Sequence, residues 1–163
     1  MTQFKQTIVK FDTALAKKSI YEHIVQLQTK KLEEYAQEEL DAMIANHTFS
    51  NDTYNTENSY VWCLYLNGGL VSFGFNVNPQ RQFKDAKFHK QNINGRHEAE
   101  AFVRRYKPNN TNGWEVVWAA TTPYTTYLES GANGRTFLVV SSQYDSIRNT
   151  FGNKGKVEFK IEY

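Results

Sequence analysis

Four histidines, one cysteine and a scatter of carboxylates are the residues of this 163-residue chain that could do chemistry. His23, His47, His89 and His97 stand apart, and none pairs with another His or Cys at the spacing of a zinc site, so no metal is expected. Cys63 has no second cysteine to bond and lies inside an apolar run, where a buried, inert thiol is the ordinary state. No activating partner neighbours it in sequence. No serine is framed by the glycines of a nucleophile elbow. Gly68-Gly69 and Gly131-Ala132-Asn133-Gly134 lack the rest of a phosphate-binding loop and read as turns. Glu129, which follows Tyr124 and Tyr127, is the acid that a small hydrolase or transferase would use, against the simpler reading of a surface or capping carboxylate. The chain is therefore read as a non-enzyme with no cofactor and no small-molecule substrate.

Charge points instead to binding. The net charge of +2 is too small to mark the whole molecule as a nucleic-acid binder, but its distribution is uneven. Residues 81–107 hold Arg81, Lys84, Lys87, Lys90, Arg96, Arg104, Arg105 and Lys107 against Asp85, Glu98 and Glu100, which leaves the rest of the chain net negative. Phe83, Phe88, Phe102 and Tyr106 are interleaved with these cations. Such a stretch can grip phosphates while rings stack on bases, or dock on an acidic protein surface. It also reads as a solvated loop followed by an amphipathic helix, because the spacing of Phe102 and Tyr106 makes them core residues first. The candidate docking residues are Arg81, Lys84, Lys87, Lys90, Arg96, Arg104 and Arg105.

The elements that position these residues follow from pattern. Asp12 to His47 contains no Pro or Gly, and Ile20, Ile24, Leu27, Leu32, Tyr35, Ala36, Leu40, Met43 and Ile44 recur at helical spacing, with Asp12 as a possible cap. A helix that long outruns a small domain, so part of it is expected to project or to bend near Gln28-Thr29, and projection favours contact with a neighbour. Residues 48–59 are small and polar and read as a loop. Tyr60 to Leu66 and Leu70 to Asn78 form a hairpin across Asn67-Gly68-Gly69. After Pro79 a long basic loop, residues 79–97, leads to a short helix from Glu98 to Tyr106.

Trp114 to Thr121 is the next strand, read as the middle of the sheet, with a helical segment from Pro123 to Ser130 stopped by Gly131. Thr136 to Val140 reads as a strand, Ser142 to Asp145 as a capping box opening a helix to about Phe151, and Gly152 to Gly155 as a turn. Val157, Phe159, Ile161 and Tyr163 alternate with charged residues as a last strand. The expected fold is one α+β domain, residues 1–163, with a mostly antiparallel sheet of about four strands packed by a long N-terminal helix and shorter helices.

An apolar content of 40% with 15% aromatics argues against disorder of the whole chain. The longest apolar runs, Val61 to Leu66 and Phe137 to Val140, fall far below the roughly 18 to 20 residues of a membrane span. The start, Met1-Thr2-Gln3-Phe4-Lys5, lacks the pattern of a signal peptide, so synthesis and retention in a cytoplasm until assembly are expected.

The segment from Trp114 to Gly131 resembles the minor virion proteins of tailed bacteriophages that complete the tail or join it to the head. In that family a strand runs into a Pro-Tyr-Ala-x-x-Val-Glu-x-Gly-like segment. Pro123, Tyr124, Tyr127, Leu128, Glu129 and Gly131 match it, with Thr125 in place of the small Ala. Asp52 to Tyr60 is similar to the family's turn before the hairpin, with Tyr54 and Thr56 where Gly and Leu are usual. The resemblance implies a subunit made in a bacterial host cytoplasm and built into the virion at the head-tail interface. It implies a ring around the channel at the portal or neck, contact with other portal, neck or tail proteins, possible contact with packaged DNA, and no membrane partner.

If the basic loop docks a partner, reversing the charge of Lys84, Lys87 and Lys90 will impair assembly while the circular-dichroism spectrum stays native. Unchanged assembly would show that these lysines are merely solvated.

Overall fold

A computed structural model of the chain describes residues 13–48, 54–80, 93–123, 125–130, 139–153, 155, 156 and 158. The elements in chain order are α1 (Thr13–Asn46), α2 (Asn55–Asn58), β1 (Tyr60–Leu66), β2 (Gly69–Phe75), α3 (Gly95–Arg105), β3 (Trp114–Ala120), α4 (Thr125–Ser130), a 3-10 turn (Ser141–Gln143) and α5 (Tyr144–Phe151). The fold is α+β with an antiparallel sheet in the order β2-β1-β3. By contacts the chain divides into two compact units, Met1–Lys31 and Leu32–Tyr163.

The second unit is built on β1. Its sequence, Tyr-Val-Trp-Cys-Leu-Tyr-Leu, has no charged residue on either face, and six of its seven residues are buried. A strand of that composition must be covered on both sides. On one face Tyr60, Trp62 and Leu64 pack with Ala36, Leu40 and Met43 of α1 and with Val139. On the other face Val61, Cys63 and Tyr65 pack with Ala99 of α3, joined by Phe102, Val103 and Tyr106. Each fully buried aliphatic here is worth about 1.5–3 kcal/mol relative to exposure. Two indoles fix α1 against the sheet: Trp118 Nε1 donates to the Ala36 carbonyl at 2.9 Å, and Trp62 Nε1 to Gln37 Oε1 at 2.8 Å.

The hairpin closes through Asn67 and Gly68, both at positive φ (51° and 81°), the left-handed pair that matches the twist of two antiparallel strands. The β1–β2 register shifts once, between Leu64 and Tyr65. β2 ends at Phe75 rather than at Asn78, because the Asn76 side chain turns the chain by accepting from Asn78 N at 2.8 Å. β1 holds the middle of the sheet expected for Trp114 to Thr121. β3, with Glu115 in it and all seven residues half-buried, is suited to the flank.

Three further expectations change in detail. The polar stretch before β1 contains a helical turn, α2, seated against α3: Asn55 Oδ1 accepts from Gly95 N at 3.4 Å. α3 begins at Gly95, not Glu98, because the Asn94 side chain caps it by accepting from His97 N at 3.0 Å. The Ser142 hydroxyl donates to the Val139 carbonyl at 3.3 Å instead of capping a helix, so a 3-10 turn precedes α5.

Three strands stand among the described residues where about four were expected. Val139 and Val140 form a bend, and residues 136–138 lie outside the described part, as does most of the strand expected from Val157 to Tyr163.

In the first unit α1 continues unbroken through Gln28-Thr29, where the Thr29 hydroxyl donates to the Val25 carbonyl at 2.8 Å. Ile20, Ile24 and Leu27, which recur at helical spacing, are exposed.

A Cβ built on Gly95 would overlap the Asn55 carbonyl oxygen, so α2 and α3 can approach this closely only across a glycine. Gly95→Ala is expected to destabilise the fold by about 1–3 kcal/mol, read from the urea midpoint, through forced displacement of backbone. A midpoint equal to that of the unmodified chain would disprove the close approach.

Candidate docking surfaces

Of the residues singled out by sequence, some lie within the described part of the chain and some outside it. Arg81, Lys84, Lys87 and Lys90 lie outside the described residues, as do Tyr124, Gly131 and the side chain of Tyr127. Arg96, Arg104 and Arg105 are exposed on α3. Pro123 is exposed ahead of α4, and Glu129 is buried within it.

Glu129 is a capping carboxylate, and a buried one. One oxygen accepts from Val139 N (2.7 Å) and Val140 N (3.2 Å), the other from Ser141 N (2.8 Å). These N–H groups precede and open the 3-10 turn and have no intrahelical acceptor, and a carboxylate meeting several of them makes charge-assisted bonds. The Tyr60 hydroxyl donates to the Val139 carbonyl at 3.2 Å, which pins the same bend to β1. Both Glu129 oxygens are thus engaged by backbone, and the geometry gives the residue a structural task.

α3 carries its arginines differently. Arg96 pairs with Glu100 at 3.1 Å and lies 3.5 Å from the centre of the Phe75 ring, a cation–π contact between helix and strand. Arg105 Nε donates to the Ala101 carbonyl at 3.3 Å. Arg104 has no ion partner among the described residues. Arg96 and Arg104 come together on an open groove of about 730 Å³ between β2 and α3, floored by Tyr65, Leu70, Phe73, Phe75 and Tyr106.

Among the described residues α3 packs on β1 while the outer part of β2 is half exposed, Leu70 by 45% and Phe73 by 48%. Its far wall is set by Tyr106, whose hydroxyl donates to Glu115 Oε1 at 2.7 Å while Asn110 N donates to Glu115 Oε2 at 2.6 Å. Tyr65 stacks obliquely on Tyr106 at 5.6 Å, and its hydroxyl is buried with no hydrogen-bond partner among the described residues. Burial, and then the Cys63 thiol two residues away, push the Tyr65 phenol far above its usual range. Phe73 and Phe75 were not singled out from sequence. The available signal was Leu70-Val71-Ser72-Phe73, a strand with large apolar groups in a hairpin whose partner strand carries no charge.

The first unit offers a different surface. Ile20, Ile24 and Leu27 recur at the spacing of one helix face and are 60%, 46% and 50% exposed, with Leu15 and Tyr21 exposed as well.

Among the described residues no three His, Cys, Asp or Glu side chains gather as a metal site. No helix there is long and apolar enough to cross a membrane. Comparison with protein-family models, curated proteins and solved structures finds no match to the chain.

Burial pushes the Cys63 thiol up to about 11 from an ordinary value of 9.0. Its folded value lies above its unfolded one, so the unfolded chain releases this proton first and stability declines as pH rises from 9.0 towards about 11. Urea midpoints across that range should fall less steeply in Cys63→Ala than in the unmodified chain. Identical slopes would contradict the assigned burial.

Proposed function

We propose that this chain is a structural protein of a bacteriophage virion, a head-tail connector or tail-completion subunit that assembles as a ring at the portal or neck and has no turnover. It acts by oligomerising and by docking on other neck, portal or tail proteins, with packaged DNA as a possible further contact. The observation that carries the reading is the exposed apolar face of α1 at Ile20, Ile24 and Leu27. Three large aliphatics repeated along one face, each about half exposed, are what a helix shows when its partner is another molecule. A ring requires heterologous contacts, in which one patch meets an unlike patch on the neighbour. A helix face and a strand-lined groove on the same chain are unlike in shape and composition, and so suit contacts of that kind. The likeness of Trp114 to Gly131 to the tail-completion and connector proteins supplies the biological setting.

The rival reading as a nucleic-acid module would use residues 81–107. Of its described cations, Arg96 is already paired with Glu100 and Arg105 bonds its own helix. Both Glu129 oxygens accept backbone N–H groups, which supports a structural carboxylate over the acid of a hydrolase.

Negative-stain imaging of the purified chain, and of virions that contain it, is expected to show closed rings at a neck. Ile20→Glu combined with Ile24→Glu should disperse the rings while helical circular dichroism is retained. A chain that stays monomeric at all concentrations and is absent from virions would overturn the proposal.

A further inference from the structure

We infer that in the free chain the exposed face of α1 is covered by the same face of a second copy, the two helices lying antiparallel with Ile24 of each against Leu27 of the other. Lys17, Ile20, Ile24, Leu27, Lys31 and Glu34 follow one another at alternating steps of three and four along a helix that is unbroken from Thr13 to Asn46. Steps of that kind keep all six on one narrow stripe, the seam of a two-stranded coiled coil rather than the broad face of a helix that packs on a core or lies on lipid. All six are exposed. The residues of α1 that enter the core, Ala36, Leu40 and Met43, lie outside this series.

Charge selects both the occupant and its direction. Residues 13–31 carry Lys17, Lys18, Lys30 and Lys31 against Glu22, whereas residues 32–46 carry Glu33, Glu34, Glu38, Glu39 and Asp41 with no Lys or Arg. Two copies in parallel register would set Lys17, Lys31 and Glu34 each against its own kind, at a cost. Turned antiparallel about the point midway between Ile24 and Leu27, the stripe is complementary to itself. Lys17 then meets the partner's Glu34 at both ends, and Ile24 meets the partner's Leu27 twice at the centre. Between them Lys31 lays its methylene stem on the partner's Ile20 and keeps its ammonium in water. A slip of one heptad loses the contact of Lys17 with Glu34 in one direction and drives Glu34 onto the partner's Ile24 in the other. The contact is isologous and stops at two copies, so it is not one that closes a ring. It covers the face in the free chain, and the pair must open before that face can meet an unlike patch on a neighbour.

Sedimentation equilibrium of the full chain, below the concentration at which rings assemble, measures the pairing. Lys17→Glu and Glu34→Lys should each weaken it by ~tenfold, because either one sets like charges together at both ends. The chain carrying both substitutions has the charges exchanged and should pair as tightly as the unmodified chain. Both residues are exposed, so native circular dichroism is expected for every variant. Disulfides report the direction. Lys17→Cys combined with Glu34→Cys should oxidise to a covalent dimer, since the two positions are about 25 Å apart along one helix and cannot bridge within a chain. Lys17→Cys alone should stay unlinked, and the buried Cys63 does not compete. A monomeric free chain, an exchanged-charge variant as weak as the single ones, or linkage through Lys17→Cys alone would each overturn the inference. Those results leave rings at a neck untouched, and a missing ring leaves the pair untouched, so the two readings fail separately.

Discussion

Everything in the second unit follows from the need to cover β1 on both faces. A seven-residue strand with no charged side chain cannot leave either face in water, and among the described residues α1 and α3 close over it. Ala36, Leu40 and Met43 of α1 close one side, and Ala99 with Phe102, Val103 and Tyr106 around α3 closes the other. The small residues decide the fit: Ala36 and Ala99 let helix backbones come down onto the sheet, and Gly95 lets α2 meet the start of α3. Gly74, opposite Trp62, leaves room for the indole that reaches Gln37.

The same constraint explains what remains open. α3 packs on β1, and among the described residues the outer part of β2 on that side lines a groove. Polar atoms are spent on holding the body together. Glu129 ties three backbone N–H groups, Glu115 ties Tyr106 to Asn110, and the Ser59 hydroxyl donates to the Thr56 carbonyl at 2.7 Å while accepting from Thr121 N at 3.1 Å. The large aliphatic and aromatic groups left exposed are on α1 and β2, where the proposed contacts with neighbours have most to gain.

Much of this fold was legible in the amino-acid order. The absence of Pro and Gly over 34 residues marked α1, and Asn67-Gly68 between two apolar runs marked the hairpin, because these signals are local and act through backbone geometry. Which strand lies in the middle was legible only through one residue, since β1 and β3 are both largely apolar and Glu115 alone puts a charge in β3. The true N-cap Asn94 sat ahead of a glycine that pattern reading discounts, although Gly95 is where α2 must approach. For Glu129 the residue was singled out and a capping role foreseen, but not its three acceptor bonds, because Val139 to Ser141 reach it through tertiary folding. The groove needed the structure, since Phe73 and Arg104 stand thirty-one positions apart and meet only when α3 settles on β1.

β1 organises the core of the second unit, and on the proposed reading the α1 residues before Lys31 and the exposed part of β2 are left for neighbours. Hydrogen exchange followed by mass spectrometry, on the isolated chain and on its assembled form, tests this most directly. Amides of residues 60–66 should be the last to exchange in both, and those of residues 13–27 and 69–75 should gain protection on assembly. Exchange of β1 as fast as that of β2, or new protection confined to other segments, would contradict the account.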